Sequence, residues 1–100
     1  MTEFYVYIID DDPDVLDSIA YLLRTSGYTV KPFNSVFSFL ESNDLETPGC
    51  VLIDLIMPEI SGIEAMQLLD KRQIRFPVII MSAYGDIEKA VSAVKQGACE

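Results

Sequence analysis

Four short apolar runs, each followed by a helix-like pattern, constrain this chain most: Phe4 to Ile9, Tyr28 to Val30, Cys50 to Ile53 and Val78 to Met81. The first, third and fourth are nearly continuous rather than alternating, which marks parallel strands covered on both faces. Behind the first run, Asp12-Pro13 supplies an N-cap and a proline at the first helical position. Val15, Leu16, Ile19, Leu22 and Leu23 then repeat at helical spacing until Gly27 stops them. Ser35 caps a second helix carrying Val36, Phe37, Phe39 and Leu40. Ser61 caps a third, beginning near Gly62 and expected to bury Ile63, Met66 and Leu69. A fourth runs from Asp86 with Ile87, Ala90, Val91 and Val94 on one face and Gly97 as its stop. The order β-α-β-α-β-α-β-α gives an α/β fold, an open parallel sheet with helices on both faces.

The length of 100 residues fits one domain, and 50% apolar content is enough for a real core. The formal charge of −9 argues against a grip on nucleic acid or on an anionic membrane, which demands clustered Lys and Arg. The absence of His excludes Ser-His and Cys-His catalysis and His-ligated zinc within the chain. Cys50 and Cys99 are too few for a disulfide framework. They read as one buried strand thiol and one near-terminal thiol in a reducing compartment. Met1-Thr2-Glu3 lacks a basic leader region and no run approaches a membrane span, so the expectation is a cytoplasmic chain.

In open parallel sheets the working site lies beyond the carboxyl ends of the strands. Asp10, Asp11 and Asp12 follow the first strand, Asp54 the third, and Ser82 and Ala83 the fourth. Asp10 to Asp12 read either as a solvated turn with a cap or as part of a charged site; for Asp12, next to Pro13, the cap is the better reading. Asp54 tips the balance, because it ends the buried run Val51-Leu52-Ile53, where an acid has no packing role. Asp10, Asp11 and Asp54 together would repel one another unless a cation neutralised them, and carboxylates with water suit a hard ion such as Mg²⁺. A carboxylate presented beside such a cation can attack phosphorus and form an acyl phosphate. Ser82 reads either as a strand-end polar residue or as a donor to a phosphoryl oxygen, and the small Ala83 leaves room beside it.

Ile8-Ile9-Asp10-Asp11-Asp12, Asp54-Leu55-Ile56-Met57-Pro58-Glu59-Ile60-Ser61-Gly62 and Ser82-Ala83-Tyr84-Gly85-Asp86 together resemble a response-regulator receiver domain, nearest in type to FixJ-like receivers. The resemblance spans the chain, so residues 1–100 are expected to form one receiver domain. It implies a flavodoxin-like sheet of order 2-1-3-4 and a two-component signalling role. It also implies Asp54 as phosphoacceptor, Asp11 as a direct Mg²⁺ ligand and Asp10 as a ligand acting mostly through water. The backbone carbonyl of Ile56 would complete the protein's metal ligands, and Ser82 matches the switch hydroxyl. The implied partners are a sensor histidine kinase, which supplies a phosphohistidine, and an output domain, for FixJ-type receivers a DNA-binding regulator of transcription. The chain itself is then a regulatory module rather than an enzyme.

The sequence departs from the family pattern at its end, Gly97-Ala98-Cys99-Glu100, where receivers continue into a fifth strand, a Lys-Pro pair and a fifth helix. Lys71, Lys89 and Lys95 lie on helices in this reading and do not replace that Lys. Without a fifth strand, Val78 to Met81 would be an apolar sheet edge, and self-association or exchange of elements between copies is expected. A competing reading is a pseudo-receiver that binds partners and is never phosphorylated; the missing Lys favours it, and the intact Asp10, Asp11, Asp54 and Ser82 set opposes it. A small aspartate-nucleophile phosphatase is a third reading, disfavoured because Asp10-Asp11-Asp12-Pro13-Asp14 does not follow the Asp-x-Asp-x-Thr/Val pattern of those enzymes.

Overall fold

A computed structural model describes residues 5–42, 49–54, 57, 60–74, 76–81 and 92. The elements run β1 (Tyr5–Ile9), α1 (Pro13–Thr25), β2 (Thr29–Phe33), α2 (Val36–Glu41), β3 (Gly49–Asp54), α3 (Gly62–Lys71) and β4 (Val78–Met81). All pairings are parallel and the strand order is β2-β1-β3-β4. This is the sheet order the resemblance implied. The expected fourth helix, residues 86–97, lies outside the described residues.

The nearly continuous apolar runs become strands because both faces of the sheet are covered. Val6 and Ile8 of β1, with Val30, Cys50 and Leu52, pack against Leu16, Ile19 and Leu23 of α1. Tyr7 and Ile9, with Val51 and Ile53, pack against Val36, Phe39, Ala65 and Leu69 of α2 and α3. Each full burial of a large aliphatic or aromatic side chain contributes about 1.5–3 kcal/mol, against about 1 kcal/mol for a helix cap. Packing therefore decides the architecture, and caps decide where its helices begin. Asp12, Ser35 and Ser61 all cap as expected, Ser61 within a reciprocal capping box with Glu64. Gly27, at φ +94°, sits in the left-handed region after the C-cap Ser26, where its amide bonds the Arg24 carbonyl at 3.0 Å.

Four details differ from the sequence reading. β2 starts one residue later than Tyr28 and continues to Phe33, since an edge strand tolerates the proline near its end. Tyr28 instead closes α1, its amide donating to the Leu23 carbonyl at 3.1 Å. α3 is rotated from the expected face: Leu69 is buried as expected, together with Ala65, while Ile63 is 52% exposed and Met66 also reaches solvent. The small Ala65 lets the helix approach the sheet closely, and an i, i+4 pair with Leu69 sets the inward face. Leu22 and Phe37 likewise lie at the rim of their helices, with Ala20 buried in α1. Finally, Cys50, fully buried in β3, is disulfide-bonded rather than a free thiol. A cysteine count carries none of the distance and direction on which pairing depends, and Cys99 lies outside the described residues.

Gly49 opens β3 opposite Tyr5 of β1. A Cβ there would collide with the Tyr5 carbonyl and come within 2.9 Å of the Tyr7 ring, itself stacked on Phe76 at 5.4 Å. The ring cannot yield without disturbing its contacts with Phe33 and Phe39. Gly49→Ala is expected to destabilise the chain by about 1–3 kcal/mol, as overpacking does, measured by urea unfolding.

Candidate functional site

Because β1 and β3 pair in parallel with Ile9 opposite Ile53, the residues that end or follow them emerge at the same edge of the sheet. Asp54 is the last residue of β3 and Asp10 the first after β1. Asp10, Asp11 and Asp54 each offer a carboxylate oxygen, and these oxygens lie within 4.8 Å of one another. The three differ in setting: Asp10 is buried at 4% exposure, Asp54 is half-buried and Asp11 is exposed.

Asp10 is held from two sides. Its amide donates to the Phe33 carbonyl at 3.1 Å, extending the β1–β2 ladder by one bond. Its carboxylate Oδ1 accepts the Asp12 amide at 2.9 Å. Asp12 in turn accepts the Asp14 amide on its own Oδ1 at 2.9 Å and so caps α1. The expected cap role of Asp12 is correct, but its amide also steadies Asp10. The i, i+2 spacing of the three aspartates is the signal that could have revealed this, since Asx side chains bond amides two residues on.

Burial pushes the Asp10 carboxyl up from 3.8 to about 6, the Asp12 amide opposes the shift, and the charges of Asp54, Asp11 and Asp12 reinforce it. The site is thus a cluster of carboxylates, one of them out of water, that is unfavourable when all are ionised. The donor set is all hard oxygen and carries excess negative charge, which fits a hydrated divalent cation of the Mg²⁺ type better than a thiophilic metal. Ile56 and Ser82, the other expected members, lie outside the described residues. Met57 is buried and Ile60 half-buried against the α2–α3 side of the core.

A parallel sheet of this order with an acidic cluster at its carboxyl edge defines a receiver domain of the two-component type. A family model described as the response regulator receiver domain matches residues 6–100, and the chain belongs to that family. Among individual relatives, it is 39% identical to the transcriptional regulatory protein TdiR of Thauera aromatica over 93% of this chain and 41% of that protein. It is 37% identical to the transcriptional regulatory protein FixJ of Bradyrhizobium diazoefficiens over 99% of this chain and 48% of that protein. The chain therefore spans about half the length of these curated relatives. The crystal structure titled FixJ-N superposes with a TM-score of 0.76 at 36% identity, covering 97% of this chain and 78% of that one. Among the described residues, no helix is long and apolar enough to cross a membrane.

The raised pKa of Asp10 gives a pH dependence whose sign is fixed. Between about pH 4 and 6 the folded chain holds a proton on Asp10 that the unfolded chain has released, so without metal the contribution of Asp10 to stability is fully present only below about pH 4. It falls as pH rises through about 6, by roughly 2–3 kcal/mol for a shift of this size. Asp10→Asn, which keeps the acceptor for the Asp12 amide, is expected to raise the Tm of the metal-free chain at pH 7.5 and leave it unchanged at pH 4, read by thermal melts at both pH values.

Proposed function

We propose that this chain is a phosphoacceptor module in which Asp54 takes a phosphoryl group from a phosphohistidine on a sensor kinase. The observation that carries the reading is the convergence of the Asp10, Asp11 and Asp54 oxygens within 4.8 Å at one sheet edge. Asp10, Asp11 and Asp54, with the Ile56 carbonyl, would hold Mg²⁺. When bound, that ion supplies positive charge against the cluster and the phosphoryl oxygens.

In the transfer, a carboxylate oxygen of Asp54 attacks phosphorus in line with the scissile bond. The O–P bond forms as the P–N bond to the donor imidazole breaks, and the imidazole nitrogen keeps the electron pair and takes up a proton from water. The half-buried position of Asp54 at the end of a fully covered strand leaves one side open to the donor and holds the carboxylate still on the other. Asp10, pinned by the Asp12 amide, is steadied at the base of the cluster. The acyl phosphate adds about −1.5 to −2 charge at this edge, with new acceptor oxygens for the Ser82 hydroxyl and nearby amides. That change favours a different arrangement of the segment after β4 and thereby a different partner surface. The names of the relatives support a transcriptional regulator as the output, and the −9 charge supports DNA contact by another segment than this one.

Intact-mass analysis after incubation with Mg²⁺ and a small phosphodonor tests the reading. A single phosphoryl adduct is expected, lost in Asp54→Asn and lost when the metal is chelated. No adduct under any of these conditions would sink it and leave the pseudo-receiver, an interaction module without phosphorylation.

A further inference from the structure

We infer that Asp12 is a positioning residue of the cation site: it acts through its own backbone amide on Asp10 and does not itself ligate. The inference rests on the proposed Mg²⁺ site and adds a residue to it. Two turns of the same kind stand in tandem, the Asp12 amide on Asp10 Oδ1 and the Asp14 amide on Asp12 Oδ1, both at 2.9 Å. Pro13 between them has no amide hydrogen and its φ is fixed by its ring, so it can neither compete for these acceptors nor let the backbone swing. The Asp12 carbonyl is tied as well, accepting the Leu16 amide at 3.1 Å in the first turn of α1.

Asp12 is therefore fixed on three sides: its side chain by the cap, its carbonyl by the helix, and its φ/ψ of −90° and 113° by the cap geometry. What remains is the direction of its amide, and that amide meets the one buried carboxylate of the cluster, 4% exposed. Asp10 cannot rely on water to orient it at that burial, so a protein donor must. The cap thus sets which Asp10 oxygen is committed to the backbone and which stays available to the cluster. A side chain two residues from the acid, and absent from the convergent set of three, governs how well that set is preorganised.

Charge and cap can be separated by substitution. Asn caps a helix as well as Asp does, whereas Ala does not cap. Mg²⁺ affinity of the full 100-residue chain is measured by calorimetry at pH 7.5 in about 0.5 M salt, which shortens the Debye length to ~4 Å and mutes loss of a non-ligating charge. In the metal-free chain, hydrogen exchange of the residue-12 amide is followed in parallel. Asp12→Asn is expected to keep Mg²⁺ affinity within about twofold and keep the amide protected. Asp12→Ala is expected to lose about tenfold in affinity, the low end of what loss of an oriented supporting partner costs, and most of the protection. Should Asp12→Ala unfold, Asp12→Gly replaces it, since glycine at a cap costs only a few tenths of a kcal/mol while removing the carboxylate.

Equal weakening by Asn and Ala would overturn the proposal in favour of direct ligation or charge. A lowered Tm in Asp12→Ala with unchanged affinity and protection would reduce Asp12 to a structural cap and also overturn it. Wild-type binding lost in Asp11→Ala but indifferent to Asp12 would leave the metal site standing and sink this inference alone. Absence of any Asp11-dependent Mg²⁺ binding would sink the metal site and this inference together.

Discussion

The parallel register that sets Ile9 opposite Ile53 is the constraint on which the rest depends. It is held by the central position of β1 and β3 and by the complete burial of Val6, Tyr7, Ile8, Ile9, Cys50, Val51, Leu52 and Ile53. A slip of one residue would turn the side chains facing α1 toward α2 and α3, exchanging aliphatic for aromatic contacts on both faces at once. The same register carries Asp10 and Asp54 to a common edge, so the stability of the core and the geometry of the acidic cluster are one fact seen from two ends of the strands.

The acidic cluster sits at the cost of that stability. Asp10 replaces what could have been another apolar residue at the end of a buried strand, and its carboxyl is pushed up by burial first and by neighbouring charge second. The Phe33 carbonyl and the Asp12 amide satisfy its backbone and one of its oxygens, but they do not remove the repulsion among three acids. A site that is disfavoured until a cation or proton arrives is poised to respond to one. That is a property a regulatory domain uses and a purely structural turn would have no reason to retain.

Much of this was legible in the sequence because the strongest signals were redundant. β1, β3 and β4 were plain from uninterrupted Val and Ile runs, and the starts of all three described helices from Asp12-Pro13, Ser35 and Ser61. The acids that converge were identifiable because each follows a strand that leaves it no packing role. What escaped was decided by tertiary fit. Periodicity placed Ile63, Met66 and Leu69 on the inward face of α3; the sheet kept Leu69 but took the small Ala65 in place of Ile63 and Met66. The length of β2 was hidden because Lys31 and Pro32 do not look like a strand until β1 is there to pair with them. The disulfide at Cys50 was invisible for the same reason, since pairing is a matter of distance.

The edge strand β2 has a consequence for assembly. The Phe33 carbonyl points inward, to the Asp10 amide, so by the alternation of a strand the nitrogen of its neighbour Pro32 points outward. There it has no hydrogen to offer, and Lys31 beside it places its ammonium over the Tyr5 ring, 5.2 Å from the centroid. A foreign strand arriving on this flank would meet a missing donor in its ladder. The β2 flank is thus a poor place for the sheet to be extended.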